Sequence, residues 1–463
     1  MRRKMILSIT AGLLLTTIFI LHDRAQTARI SPASKPMIIK CGRLIDPGSE
    51  RIQDAVFVET AAGRIQRILP LAKFHATIDP SVEVLDFSDK TVIPGLIDTH
   101  AHLWGGITQR HSTYELQAPL FLACGVTCIR SPGSANPEGE LALSRRISSG
   151  AAIGPRIYVS SAYLEGDPPT NDWMSGLRTP EEVRLSVDLW AQKGVHSIKL
   201  YAGMKEGLMN TAIDQAHRYG LKAIMHSGEA GYEEAIRAGI DELFHGIMVM
   251  SDILPKNISQ RQYLEWFEAV KALDISRPEI KNIIKLASDY RVVLTPTLAA
   301  SEEMDFESEF MQSQKKYYEP KAWDTLVERA KNPFLKGKDV ITGLNLKFVA
   351  MAYEAGCILT TGTDKTNIVP LPGYSLWQEM DAFARAGLPP MAVLKAATRN
   401  GAYALGCGDS LGAIEPGMWA DLVILENDPL EDIHNVRHVH RVIKAGRIYD
   451  PEDLTKRLVG RFN

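Results

Sequence analysis

Val92-Ile-Pro-Gly-Leu-Ile-Asp98-Thr99-His100-Ala-His102-Leu103 is the stretch from which the rest of the chain is best read. Val92 to Ile97 is a short apolar run, the pattern of a buried strand. Successive side chains on a strand face opposite ways, so His100 and His102 project together. Two imidazoles at a strand end suit a borderline-soft divalent cation such as zinc. A His-X-His triplet also arises by chance packing. Its meaning depends on whether other ligands converge on it.

Downstream, short apolar runs alternate with helical stretches. The predicted strands are Gly95–His102, Val126–Arg130, Arg156–Ala162, Ser197–Tyr201, Lys222–Ser227, Glu242–Gly246, Val292–Thr297 and Ile358–Asp364. Between them lie helix-like segments such as Thr179–Gln192, Leu208–Arg218, Glu233–Ala238 and Glu279–Asp289. Thr179-Pro-Glu-Glu182 is a good helix start, with a capping hydroxyl, a proline and then acids. Eight βα units in succession predict an α/β fold of the (β/α)8 TIM-barrel type over residues 94–394. Residues 37–93 and 395–455 are β-rich flanks, as in Ala55-Val-Phe-Val58 and Ala420-Asp-Leu-Val-Ile-Leu425. They predict one small β-sandwich assembled from both ends.

Chemistry in such barrels sits where the strands end. There the chain places His100 and His102 on the first strand, Lys199 on the fourth, His226 on the fifth, His245 on the sixth and Asp364 on the eighth. Four of the 12 histidines thus fall at these few positions. Singly, His226 or His245 would read as a buried, hydrogen-bonded histidine and Asp364 as a helix cap. Together they read as metal ligands, with Asp364 also a general base. Lys199 as an ammonium would repel the cations its neighbours hold. Reaction of its amine with carbon dioxide would give a carbamate whose two oxygens reach two metals, and the alternative is a substrate-facing or surface lysine.

Two connections, 248–278 and 299–345, far exceed the usual two to six residues and should cover the strand ends. Glu302, Glu303, Asp305, Glu307 and Glu309 read there as a solvated face.

The formal charge is −3, of which residues 1–28 carry +3 (Arg2, Arg3, Lys4 and Arg24 against Asp23), leaving −6 for the remainder. No basic run is available to neutralise phosphates, which argues against nucleic acid as a partner. Met5–Leu21 follows Arg2-Arg3-Lys4 as the apolar core of an export signal. His22-Asp23-Arg24 makes a poor cleavage site, so residues 1–28 are either a signal peptide or an N-terminal membrane anchor, followed by a linker at 29–36. Either way the expected location is exported, periplasmic or extracellular. The cysteines Cys124, Cys128 and Cys357 read as core thiols, while Cys41 and Cys407 are open to a disulfide.

These motifs resemble the amidohydrolase superfamily, in the branch of imidazolonepropionase-like and prolidase-like metal-dependent hydrolases. The resemblance covers residues 37–450 and rests on Pro94 to His102, Ile198-Lys199, His226, His245-Gly246 and Thr361-Gly-Thr-Asp364. It continues in Ala396-Ala-Thr-Arg-Asn-Gly-Ala402 and Leu411-Gly-Ala-Ile-Glu-Pro-Gly-Met-Trp-Ala-Asp421. It implies two divalent cations, usually zinc: His100, His102 and Asp364 on the first, His226 and His245 on the second, carboxylated Lys199 bridging. It further implies hydrolysis of a small molecule by a metal-bridging hydroxide, with Asp364 moving the proton to the leaving nitrogen.

The leading expectation is an exported binuclear hydrolase cleaving an amide C–N bond of a dipeptide or N-acyl amino acid. The alternatives are a mononuclear cyclic-amide hydrolase or deaminase of the same superfamily, and a catalytically silent relative. Dipeptidase-like relatives often carry Tyr two residues after the fifth-strand histidine, where this chain has Gly228. Arg130, His111 and Tyr201 are candidate substrate contacts, with packing or a structural salt bridge as the alternative for each. The sequence leaves metal identity, substrate and assembly into a homo-oligomer open.

Overall fold

The computed structural model describes residues 35–74, 82–103, 114–171, 174, 176–255, 258, 263–302, 305–330, 338–365 and 371–462. The apolar segment Met5–Leu21, most of the linker, His111 and Glu303 lie outside the described residues. Within them, no helix is long and apolar enough to cross a membrane.

In chain order the strands are β1 (Met37–Asp46), β2 (Arg51–Ala61), β3 (Arg64–Pro70), β4 (Glu83–Pro94), β5 (Leu96–Asp98), β6 (Val126–Ser131), β7 (Arg156–Gly166) and β8 (Gly176–Leu177). They continue as β9 (Ser197–Leu200), β10 (Lys222–Met225), β11 (Glu242–Phe244), β12 (Val293–Thr295), β13 (Ile358–Leu359), β14 (Leu422–Leu425), β15 (Val439–Lys444) and β16 (Arg447–Tyr449). Each predicted barrel strand is present. The parallel sheet runs β13–β12–β11–β10–β9–β7–β6–β5, with β8 added beside β7. The predicted helices form at Pro180–Lys193, Glu206–Arg218, Tyr232–Arg237 and Pro278–Asp289. The first starts in a reciprocal capping box between Thr179 and Glu182, and stops at Gly194 with φ 85°. The fold is a (β/α)8 barrel with a separate mixed sheet.

The run Val92–Ile97 differs from its reading as one strand. Val92 to Pro94 ends β4 in the small sheet, where Pro94 pairs with Leu422. Leu96 begins the barrel, and Gly95 passes the chain from one sheet to the other. A Cβ on Gly95 would sit 2.1 Å from Thr127 Oγ1, and its N–H donates to Asp421 O at 2.8 Å. Only a residue without a side chain allows both sheets to meet here.

The small sheet runs β16–β15–β14–β4–β1–β2–β3. It is a single sheet doubled over rather than two separate ones. The edge strand β3 returns to the segment before β14: Ile65 N donates to Met418 O at 2.9 Å and Gly417 N to Ile65 O at 2.8 Å. Ile39, Leu44, Val58, Ile65, Leu422 and Ile424 are fully buried inside the fold.

The barrel is closed by hydrogen bonds between β5, with the segment that follows it, and the segment that follows β13. Thr99 N donates to Thr361 O at 3.0 Å, Thr361 Oγ1 to Ile97 O at 3.0 Å and Asp364 N to His100 O at 2.8 Å. Closure therefore happens where two of the predicted ligands stand.

Of the long connections, the second carries its own apolar cluster. Phe306, Tyr317, Tyr318 and Trp323 pack with Leu120, Leu371 and Phe462. Asp305, Glu307 and Glu309 are exposed, as a solvated face requires. Glu302 is instead half-buried and paired with Arg385. All five cysteines are buried free thiols, so Cys41 and Cys407 form no bridge; they lie in separate apolar clusters.

Candidate metal centre at the barrel mouth

β5 stops at Asp98, short of the two histidines, and the chain bends at Thr99-His100 while both neighbouring segments continue to bond it. Ala101 N donates to Arg130 O at 2.9 Å on one side, and His100 O accepts from Asp364 N on the other. The His100 and His102 rings then lie with centroids 5.1 Å apart. Asp98 braces this corner from behind. Its Oδ1 accepts from His100 N and Thr363 N, both at 3.1 Å, and its Oδ2 from Thr363 Oγ1 at 2.9 Å. Burial pushes the Asp98 carboxyl up to about 6 against those bonds.

Asp364 is the hub. Its Oδ1 lies 3.3 Å from His100 Nε2 and 3.0 Å from His102 Nε2, and its Oδ2 lies 3.5 Å from His245 Nδ1. Burial opposes its ionisation, but attraction by His100 and His245 and hydrogen bonds from His100 and His102 outweigh it. The carboxyl falls well below the usual range. Burial pushes His100 and His245 well below the ordinary imidazole range, favouring the neutral ring, while attraction by Asp364 opposes the shift. His226 meets His245 edge-on with centroids 4.5 Å apart, and Tyr201 lies against His226 at 4.7 Å. Lys199 is 1% exposed, with Nζ 4.1 Å from the Phe244 ring centroid. Burial lowers its amine to about 7; attraction by Asp364 opposes the shift and Arg130 adds to it.

The residues fit a divalent cation. His100, His245 and Asp364 offer ligand atoms that all lie within 4.8 Å of one another. Neutral imidazoles and an ionised carboxylate are the protonation states a metal needs. His100 Nδ1 is also buried without a hydrogen-bond partner. His102 joins the set through Asp364, whereas His226 contacts the ring of His245 and Lys199 that of Phe244.

Residues 91–449 match the amidohydrolase family. The chain belongs to that family. Ochratoxinase of Aspergillus niger is 24% identical over 489 aligned residues, covering 93% of this chain and 90% of the relative. Imidazolonepropionase of Clostridium tetani is 23% identical, covering 88% of this chain and 91% of the relative. Among solved structures, a Xaa-Pro dipeptidase with bound methionine superposes with a TM-score of 0.69 at 22% identity, covering 90% of this chain and all of that one. Its likeness extends to the fold.

The proposed substrate contacts fare differently. Arg130 is 1% exposed inside the amidohydrolase barrel, paired with Glu242 and donating to Thr99 O at 2.9 Å. The salt bridge with Glu242 is the structural role that the sequence offered as the alternative for Arg130. Tyr201 lines the mouth between His226 and Tyr163. A cavity of about 360 Å3 is lined by Ala202, Gly228, Glu229, Asp252 and Trp266 but by neither Tyr201 nor any of the candidate ligands. A Cβ on Gly228 would sit 2.1 Å from Ala202 O, so this backbone course admits no tyrosine there.

Sequence reasoning missed Asp98, Phe244 and Thr297. Thr297 did carry a signal, since it closes the predicted seventh strand and so stands at the chemical face.

A buried acid lies behind the mouth as well. Glu140, fully buried on helix Pro137–Ser148, accepts from Ser134 Oγ at 2.9 Å. Burial pushes its carboxyl from 4.5 up to about 8 despite the bond from Ser134. The native chain thus keeps a proton that the unfolded chain has released above pH 4.5. The associated stability is complete below that pH and is lost as pH rises through about 8. Glu140→Gln should flatten this decline by up to about 1.4 kcal/mol per pH unit in urea unfolding followed across that range. An unchanged slope would mean that Glu140 is ionised in the native state.

Proposed function

We propose that this amidohydrolase is an exported, metal-dependent enzyme that cleaves an amide C–N bond of a small molecule, an N-acyl amino acid or dipeptide-like compound. The observation that carries the reading is one partly exposed carboxylate, Asp364, meeting His100, His102 and His245, with the buried amine of Lys199 under its attraction. Two divalent cations, with zinc the best match to this donor set, would supply an activated water and Lewis-acid polarisation of the scissile carbonyl.

Each protein group has a distinct part. His100, His102 and Asp364 would hold one cation, and His226 and His245 the other. Lys199 near neutrality keeps a large fraction of free amine, whose nitrogen adds to carbon dioxide with release of one proton. The resulting carbamate turns a cation into an anion between the two sites. Asp364 takes up a proton on a carboxylate oxygen and returns it to the leaving nitrogen. Tyr201, whose ring lies 4.7 Å from that of His226, would face the substrate at the mouth. The absence of a side chain at Gly228 favours a substrate that is not held there by a tyrosine hydroxyl.

Lys199→Ala should lose the paired metals, falling from two per chain to one or none by elemental analysis. Depleting bicarbonate before metal loading should do the same to the unaltered protein. Two metals per chain in the variant would remove the carbamate bridge. The compact grouping of His100, His245 and Asp364, with His226 outside it, favours a mononuclear cyclic-amide hydrolase or deaminase as the second reading. One metal per chain irrespective of bicarbonate selects that reading.

A further inference from the structure

Three non-glycine residues with positive φ stand at the ends of neighbouring barrel strands: His245 at 71° after β11, Thr297 at 50° after β12 and Asp364 at 45° after β13. The left-handed region is least hospitable to a β-branched side chain, so Thr297 is the most strained of the three. Such strain persists where the surroundings over-determine it, typically around functional groups. Two of these residues already belong to the candidate centre.

Thr297 is 2% exposed and precedes the short helix Leu298–Ser301. Its hydroxyl does not cap that helix. It lies 2.9 Å from His245 Nδ1 instead, across 52 residues of sequence. The same ring nitrogen faces Asp364 Oδ2 at 3.5 Å. An ionised carboxylate only accepts hydrogen bonds, so the nitrogen between these two oxygens is the one that carries the proton. Once Asp364 is engaged by a cation, Thr297 Oγ1 remains as the acceptor.

The segments on either side of Thr297 are tied down. His245 N donates to Thr295 O at 2.9 Å, which couples the ends of β11 and β12. Ala299 N donates to Glu379 Oε2 at 2.7 Å, and Thr342 Oγ1 donates to Ser301 O at 2.9 Å. The turn therefore cannot drift away from the imidazole.

We propose that Thr297 is a positioning residue of the cation site: its hydroxyl oxygen accepts the His245 Nδ1 proton, fixes the ring angle and leaves Nε2 with its lone pair free for a divalent cation. This rests on the metal-dependent reading and adds the group that sets the tautomer. A partner that orients a metal-binding histidine usually contributes about 10–100-fold to metal affinity.

The test is zinc affinity by chelator competition, with Tm recorded alongside, for the full protein and for Thr297→Val, Thr297→Ser and Thr297→Gly. Valine and glycine should weaken zinc by about 10–100-fold, and serine should bind nearly as the unaltered protein does. Glycine relieves the left-handed backbone, so its Tm should be no lower than that of the valine variant even though it binds zinc as poorly. Zinc bound as tightly by valine and glycine as by threonine would overturn the inference alone. Serine binding as weakly as valine would overturn it too. Failure of the unaltered protein to bind zinc would instead overturn the metal-dependent reading and this inference with it.

Discussion

Asp364→Asn is expected to lower kcat by about 10²–10⁴-fold, the range for losing a positioned acid–base group, while the protein still binds metal. The substitution is clean for a structural reason. Asp364 sits at φ 45°, a region asparagine tolerates better than most residues, and its backbone N–H still donates to His100 O. The amide keeps an oxygen for coordination but has no site to take up the proton. The measurement pairs steady-state kinetics with metal content; unchanged turnover at full metal occupancy would remove Asp364 as the proton carrier. Loss of the metal together with turnover would make it chiefly a ligand.

Arg130→Met should lower the free energy of unfolding by about 3–5 kcal/mol, the cost of leaving one member of a buried ion pair without its partner. Arg130 and Glu242 are each 1% exposed, and Arg130 NH2 binds Glu242 Oε1, which also accepts from Thr295 Oγ1. Without the guanidinium, the Glu242 carboxylate keeps one hydroxyl donor in the barrel interior. The change also removes the donor to Thr99 O, one residue before the first histidine, and the cation over the Phe244 ring 5.4 Å away. Arg130→Met with Glu242→Gln should recover at least half of the loss, since it no longer buries a charge. Urea unfolding of the single and double variants reads both numbers. A single variant as stable as the parent would show that the pair contributes nothing to the fold.

The positions of the candidate ligands were legible because a barrel strand is a local pattern and its end is a local event. Ile198-Lys199-Leu200 and Ala223-Ile-Met-His226 are short apolar runs that stop at a polar side chain, and a parallel barrel gathers such stops at one mouth. His245 and Asp364 were found in the same way. What each side chain touches was not legible. Arg130 ends its strand just as the ligands end theirs, and nothing near it in sequence reveals a partner at Glu242, 112 residues away. Gly95 looked like the interior of one strand because the run Val92–Ile97 is uniformly apolar, although two sheets share it.

The order and type of the elements, the family and the six residues at the mouth are set by patterns of a few residues each: two-residue alternation, helix caps, and a polar group after an apolar run. Folding decides the contacts that join residues far apart in the chain. Thr99 to Thr361 closes the barrel across 262 residues, and Thr297 meets His245 across 52. Lys199 owes its depressed pKa to burial among groups from other strands. Periodicity determines which way a side chain points. Its electrostatic surroundings and its hydrogen-bond partner depend on how all eight strands pack.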